Sequence, residues 1–421
     1  MHTSPQPIQH THTWKVLDDQ HSLATARPTQ ERSASVSFSD LLPAIQVRPR
    51  QTMAPGILTA TTLAMMLGFT CAAENAAFGE SARGISKQSS CTGDILCVSL
   101  VQEESAALHK AALQIQPRHD NATEVGDFAK EAAAAFAQSL RPETLRRMQQ
   151  LKTASASVVK NLPVDWGAED LLPTDGSGRS RKPGQVSEVV VFGLASIMDT
   201  TVQDVGDLEP SYSTGVVHDG FPHKAKGAAI GSSAPQALHS DMSYRPDSQD
   251  VPDFLALVCL SPGSRKPVPT RLLANHHVVE LLPEDVMQVL RLPLFEIKRP
   301  GYVSADGWAA RVSETSSVKK PLLLEDSPYP YIATRVYSEQ VTPTTPEAAE
   351  AYKVLLRTIE AAEDKAGLQI FLDKGDVLLF ANKENLHARA VVAKDEAPLF
   401  DGRDRFYQRA YFVRGSTCPV G

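Results

Sequence analysis

The spacing of hydrophobic and polar positions changes character along this chain. From Glu103 to Ile115 and from Asp127 to Leu140, apolar residues fall on one face of a helix, which predicts two amphipathic helices, the second rich in alanine. Arg141-Pro142-Glu143 restarts a helix that runs through Leu151, with proline in the first turn, where its missing N–H is harmless. After Lys152 the apolar runs become short. Ser157-Val158-Val159 and Glu188-Val189-Val190-Val191-Phe192 read as strands, and residues 173–185, rich in Gly, Ser, Pro and Arg, as a loop. Phe254 to Leu260 is an apolar run between prolines and reads as a buried strand. Ala348 to Ala366 returns to helical spacing and closes at Gly367. Gly375-Asp376 turns into an apolar strand, Val377 to Phe380, and Arg405 to Val413 alternates aromatic and polar residues as a strand does. Helices first and many short strands afterwards predict an α+β protein with a sandwich or barrel core.

The first 90 residues have a different texture. Residues 1–50 are rich in Ser, Thr, Gln, Pro and His without a sustained apolar period, and read as disordered. Gln51 to Ala73 carries no charge, but its five threonines, proline and two glycines make it a poor membrane span. A signal peptide beginning at Met53 is the sharper reading, since Cys71-Ala72-Ala73 resembles a small-residue cleavage site. No positive n-region follows that methionine, however. The plain alternative is an apolar helix or a loosely bounded extension. The expected organisation is an extension, disordered or targeting, over 1–90 and a single domain over 91–418, with a helical part at 95–152 and a β core at 153–418.

Composition narrows the function classes. A hydrophobic fraction of 42% over 421 residues supports a sizeable core. The 42 basic and 49 acidic residues leave a net charge of −7, with no basic excess to hold a phosphate backbone, so nucleic acid is excluded as the main partner. Five cysteines, odd in number and without a CxxC pair, support neither a zinc ribbon nor a thioredoxin-type site. A reduced, cytoplasmic setting without stable membrane insertion is the default, with the N-terminal signal reading as its rival.

Among twelve histidines, His239-Ser240-Asp241 is the pair to weigh. On an extended strand, positions i and i+2 point to one face, so an imidazole and a carboxylate can meet one metal. Two such ligands and a distant His make the facial triad of non-haem Fe(II) oxygenases, which leaves three coordination positions open. The spacing alone is weak, because chance supplies about one His-x-acid pair in a chain of this composition. His387, beyond the Gly375-Asp376 turn, the strand after it and Asn382, is placed to be the distal ligand. An oxygenase using 2-oxoglutarate must also hold that molecule's remote carboxylate, which an arginine fork does best. Arg405, Tyr407 and Arg409 share one face of the final aromatic strand; the plain alternative is an edge strand with solvated arginines. Cys259 reads as a core residue, and His276-His277 as solvated surface or cap residues.

These segments carry a resemblance. Leu238-His239-Ser240-Asp241, followed by Pro252-Asp253-Phe254 through Leu260, resembles the first metal motif and following strand of the clavaminate synthase-like family, which includes free amino-acid hydroxylases for asparagine and arginine. Gly375 through Asn382, then His387-Ala388-Arg389, then Asp401 through Arg409, is similar to that family's distal-His strand, loop and closing arginine strand. His218-Asp219-Gly220-Phe221-Pro222 stands where the family has a comparable run. The family's amino-acid hydroxylases usually carry Glu at the place of Asp241. Ala381 and Ala388 replace a usual Asp and Gly, and the loop from His387 to Arg405 is longer than typical, departures that bear on the substrate pocket more than on the metal.

The resemblance implies a double-stranded β-helix (jelly roll) flanked by N-terminal helices. It implies Fe(II) on His239, Asp241 and His387, the remote carboxylate of 2-oxoglutarate on Arg405 and Thr270, and a substrate carboxylate on Arg409. The reaction implied is hydroxylation of an unactivated C–H bond of a free amino acid or a derivative, with O2 consumed and succinate and CO2 released. A carboxylate at 241 argues against halogenation, since chloride would need that coordination position, while desaturation or ring closure stays open. The alternatives are a taurine- or γ-butyrobetaine-type dioxygenase acting on another small acid, and a catalytically silent jelly-roll binding protein. The partner expected is a small molecule, with the oligomeric state and the substrate left open.

Overall fold

The computed structural model describes residues 95–116, 122–165, 184–203, 217–220, 236–263, 268–298, 317–325, 330–335, 340–390 and 404–415. The readings of 1–50 as disordered and of 51–73 as a signal or apolar segment lie outside the described residues, as does nearly all of the 173–185 loop.

In chain order the elements begin with β1 (Leu96–Ser99), α1 (Gln102–Ala112), α2 (Ala122–Ser139), α3 (Pro142–Met148), β2 (Ala156–Lys160) and α4 (Val186–Ile197). The short strands follow: β3 (Thr200–Val202), β4 (Val217–Gly220), β5 (Phe254–Ser261) and β6 (Thr270–Ala274). Next come α5 (Asn275–Val279), α6 (Glu284–Leu290), β7 (Phe295–Lys298), β8 (Ser317–Lys320), β9 (Leu323–Leu324), β10 (Tyr331–Ile332) and β11 (Val341–Pro343). The chain closes with α7 (Pro346–Ala366), β12 (Leu368–Ile370), β13 (Val377–Ala381), β14 (Asn385–Arg389) and β15 (Phe406–Arg414).

Seven strands form the main sheet in the order β1-β2-β13-β5-β15-β3, with β4 also paired to β15. Only the β1–β2 pairing within it is parallel. A second, antiparallel sheet has the order β12-β6-β14. The pleat of the main sheet sends alternate side chains into two cores. Val98, Val159, Phe254, Ala256, Val258, Val377, Leu379, Phe406, Ala410 and Phe412 pack with α1, α2 and α4 on one face. Val158, Leu255, Cys259, Leu378, Phe380, Tyr407 and Tyr411 pack on the other face with β6, β14 and α7. Both faces being buried, β5 and β13 read as continuous apolar runs rather than as alternation.

One expectation is overturned. Glu188 through Phe192 is not a strand but lies inside α4, every residue of which from Val186 to Ala195 is buried. A run apolar all round fits a buried helix as well as a buried strand, and length decides between them. Capping supports the helix: the Asp165 carboxylate accepts the Val186 N–H at 3.2 Å and the Ser187 N–H at 3.3 Å, satisfying first-turn amides. Gly193 then lets α2 approach closely, because a Cβ there would fall 2.1 Å from the Phe136 ring. His276 and His277 also differ from expectation: they lie within α5, half-buried, with ring centroids 3.9 Å apart. Gly375 does make the tight turn before β13, at φ +85°. Cys259 is a free, buried thiol and Cys97 is disulfide-bonded. Among the described residues, no helix is long and apolar enough to cross a membrane.

Candidate metal centre

The site forms where the two sheets face each other. His387 sits at the centre of β14, and His239 pairs with it through an isolated antiparallel bridge, His239 N–H to His387 C=O at 3.0 Å and His387 N–H to His239 C=O at 2.9 Å. Backbone pairing thus sets the two imidazoles side by side, with ring centroids 4.3 Å apart. Ser240, between His239 and Asp241, points the other way and donates to Ile332 C=O at 3.0 Å, which pins the segment to β10. Asn382, fully buried after β13, grips the Asp241 backbone from both sides. It accepts the Asp241 N–H at 3.0 Å and donates to the Asp241 C=O at 3.1 Å. Met242, in the left-handed region at φ 56°, turns the chain directly after Asp241.

His239, Asp241 and His387 are buried, and their donor atoms all lie within 4.8 Å of one another. The Asp241 Oδ1 is 3.3 Å from His239 Nε2 and 3.8 Å from His387 Nε2. Ligand bonds of about 2.1 Å at right angles would bring such atoms to about 3 Å, so the spacing suits one ion. His239 Nδ1 donates to the Ala237 carbonyl at 2.9 Å, which leaves the Nε2 lone pair for a metal. The other oxygen of Asp241, Oδ2, accepts from Tyr411 Oη at 2.8 Å and Arg409 Nη1 at 3.1 Å. The shifts at Asp241 and His387 agree with ligation, which needs an ionised carboxylate and neutral imidazole. Burial pushes the Asp241 carboxyl up, but Arg409 and the two histidines outweigh it and hold it well below the usual range. Burial and the neighbouring His239 bring the His387 imidazole down to about 3.

The arginines diverge from this point. Tyr407, Arg409 and Tyr411 share one face of β15, while Phe406, Gln408, Ala410 and Phe412 face the helices; Arg405 lies just before the strand, ahead of a register shift between Phe406 and Tyr407. Arg409 is half-buried and its Nη1 meets Asp241 rather than open space. Arg405 stacks 4.0 Å over the Tyr407 ring and donates at 3.4 Å to the Val268 carbonyl, two residues before Thr270. Thr270 is buried at the start of β6, opposite Arg389 of β14. Sequence reasoning did not assign Tyr411, Asn382 or His218 to the site. Tyr411 was legible in principle, being one pleat repeat beyond Arg409 on the same face. His218 lies on β4 directly across from Arg409, its ring 6.2 Å from that of Tyr411, and burial and Arg409 bring its imidazole down to about 3.

No family model matches the chain. Over 308 residues it is 26% identical to L-asparagine oxygenase of Streptomyces coelicolor, spanning 72% of this chain and 84% of that protein. Over 186 residues it is 26% identical to L-lysine 3-hydroxylase of Catenulispora acidiphila, spanning 44% of this chain and 47% of the other. Among solved structures, asparagine oxygenase in complex with Fe(II), 2S,3S-3-hydroxyasparagine and succinate matches with a TM-score of 0.60 at 21% identity, over 76% of this chain and 93% of that one. The non-heme iron oxygenase OrfP in complex with Fe, succinate and (3S)-hydroxy-L-Arg matches with a TM-score of 0.55 at 20% identity, over 75% and 93%. The sequence motifs and the fold point the same way: over most of its length the chain is similar in sequence to L-asparagine oxygenase, and it shares the fold of the solved asparagine oxygenase and OrfP structures.

Proposed function

We propose that this protein is an Fe(II)- and 2-oxoglutarate-dependent oxygenase that hydroxylates an unactivated C–H bond of a free amino acid or a close derivative. The observation that carries this reading is the convergence of His239, Asp241 and His387 between the two sheets, with donor atoms within 4.8 Å. Homology to L-asparagine oxygenase over 72% of the chain supports the substrate class. In finer detail, the two sheets are read as the halves of a double-stranded β-helix, with α1 to α4 as the flanking helices.

Iron, 2-oxoglutarate and O2 supply the oxidation, with succinate and CO2 as co-products; the chain's own residues bind, orient and exclude water. His239 and His387 would present neutral nitrogens and Asp241 an anionic oxygen, which leaves three positions for 2-oxoglutarate and O2. Arg405, with Thr270 beside its backbone contact on the β6 side, would hold the remote carboxylate of 2-oxoglutarate. Arg409, whose Nη1 is engaged by Asp241, has further N–H donors with which to hold a substrate carboxylate. Residues 1–90 hold none of these groups. A shortened chain beginning at Cys91 is therefore expected to retain turnover, and a folded but inactive truncation beside active full-length protein would refute that. The cytoplasmic setting rests on the sparse cysteines, and the disulfide at Cys97 weighs against it.

The deciding experiment incubates the purified protein with Fe(II), 2-oxoglutarate and each free amino acid in turn, measuring succinate and the mass of the amino-acid product. Succinate that rises with one amino acid, together with a product heavier by one oxygen, supports the proposal. Iron binding with no 2-oxoglutarate consumed under any condition would favour a silent binding protein. Turnover confined to sulfonates or betaines would favour the taurine- or γ-butyrobetaine-type reading.

A further inference from the structure

We propose that Tyr411 is a positioning residue that makes Asp241 a one-oxygen metal ligand; the proposal rests on the metal reading of His239, Asp241 and His387. A carboxylate can meet a metal through one oxygen or two, and the second oxygen would take a coordination position that 2-oxoglutarate and O2 need. In this chain the two oxygens are already divided. Oδ1 faces the imidazoles at 3.3 and 3.8 Å, while Oδ2 is turned to β15 and accepts from Tyr411 Oη at 2.8 Å and Arg409 Nη1 at 3.1 Å. Asn382 prevents the backbone from rotating to offer the other oxygen, since it holds both the N–H and the C=O of Asp241.

Of the two donors on Oδ2, Tyr411 is the one that can stay in place through turnover. Arg409 is a cation on a long flexible stem, half-buried, and a carboxylate arriving in the site competes for it. The phenol is uncharged, almost fully buried on a central strand, and packed in the same core as Leu255 and Phe380. Its contact with Oδ2 therefore does not depend on whether a second anion has entered. Without that hydroxyl, Asp241 becomes free to swing toward two-oxygen binding whenever Arg409 is drawn away.

The test uses the full chain, loaded anaerobically with Co(II) and followed by visible absorption, with and without 2-oxoglutarate. Tyr411→Phe keeps the ring and removes the donor. It is expected to melt cooperatively as the wild type does, to bind Co(II) on the order of 10- to 100-fold more weakly, and to show displaced ligand-field bands when 2-oxoglutarate is added. Tyr407→Phe removes an equally buried hydroxyl from the same face without touching Asp241, and is expected to leave Co(II) affinity unchanged. Wild-type affinity and bands in Tyr411→Phe would overturn the proposal. Should Tyr411→Phe not fold, Tyr411→Gln and Tyr411→Leu differ mainly in the donor, and equal Co(II) affinity in that pair would overturn it as well. Co(II) binding by His387→Ala equal to wild type would bring down the triad itself. Loss in His387→Ala with none in Tyr411→Phe strikes Tyr411 alone.

Discussion

The two faces of β15 contain similar polar equipment put to opposite uses. Toward the helices, Gln408 is fully buried and donates through one amide to the Glu188 carboxyl at 3.0 Å and the Asp219 carboxyl at 2.9 Å. Toward the second sheet, Arg409 and Tyr411 donate to a single carboxylate oxygen of Asp241. On the first face the polar groups hold α4 and β4 to the sheet. On the second, the other Asp241 oxygen faces two imidazoles, and among the described residues no lysine or arginine pairs with it. A buried carboxylate satisfied on one side and presented on the other is a binding device, whereas the Gln408 bridge is a fastener. The two faces should therefore fail differently, one in function and one in stability.

The largest effect is expected from the triad. His387→Ala removes one of the three proposed ligands and is expected to abolish succinate formation with Fe(II) and 2-oxoglutarate while the protein still melts cooperatively. His239→Ala and Asp241→Ala are expected to do the same. Near-wild-type turnover in His387→Ala would dissolve the distinction between the two faces.

Next come Arg409, on the inner face of β15, and Arg405, just before that strand. Arg405→Gln would remove the proposed fork-to-carboxylate contact of about 1.5–3 kcal/mol, and is expected to raise KM for 2-oxoglutarate on the order of 10- to 100-fold. Arg409→Gln is expected to act mainly on KM for the amino acid and to uncouple succinate formation from hydroxylated product, since a displaced C–H bond misses the oxidant. Measuring both KM values in both variants separates the roles. Small, equal changes would place both arginines outside the site.

On the outer face, Gln408→Leu takes a shared donor from two buried carboxyl groups and is expected to cost about 1.5–3 kcal/mol of stability in denaturant unfolding. Co(II) affinity is expected to stay at the wild-type value. A variant that loses metal while keeping its stability would mean that the sheet does not insulate one face from the other.

How much of this was legible beforehand follows from which interactions are local. β5, β13 and β15 were readable because apolar runs, bounding prolines and the Gly375 turn are features of contiguous residues. The candidate triad was readable because His239 and Asp241 are two apart in sequence and the resemblance supplied His387, although the structure holds the pair by an isolated bridge and a turn rather than on a strand. Glu188 through Phe192 misled because a valine run buried on every side has no period; only the docking of α2 at Gly193 and the distant Asp165 cap make it a helix. Tyr411, Asn382 and Gln408 went unassigned for a related reason. Their partners lie 170, 141 and 189–220 residues away: the Asp241 carboxylate for Tyr411, the Asp241 backbone for Asn382 and two carboxyl groups for Gln408. The alternation of β15 could have placed Tyr411 beside Arg409, but nothing local marks which distant group each residue meets.

The smallest effect lies in the helical layer, behind the outer face. Glu104 is almost fully buried, and one carboxylate serves two helix starts. Its Oε2 accepts the Val101 N–H at 3.0 Å ahead of α1, and its Oε1 accepts the Arg141 N–H at 2.9 Å and Arg141 Nε at 3.1 Å ahead of α3. Burial pushes its pKa up, but hydrogen bonds from Thr144, the Arg141 and Val101 backbones and the Arg141 side chain prevail and bring it from 4.5 down to about 2. A carboxyl whose folded pKa lies below its unfolded one contributes stability in full above pH 4.5 and loses it as pH falls toward 2. Glu104→Gln keeps the shape but sets an amide N–H against one of the backbone donors. It is expected to cost about 1 kcal/mol at pH 7 and to flatten the fall in melting temperature between pH 4.5 and 2 relative to wild type. Metal affinity at pH 7 should not move. Parallel acid limbs for the two proteins would mean that Glu104 is not the group whose protonation loosens the helices from the sheet.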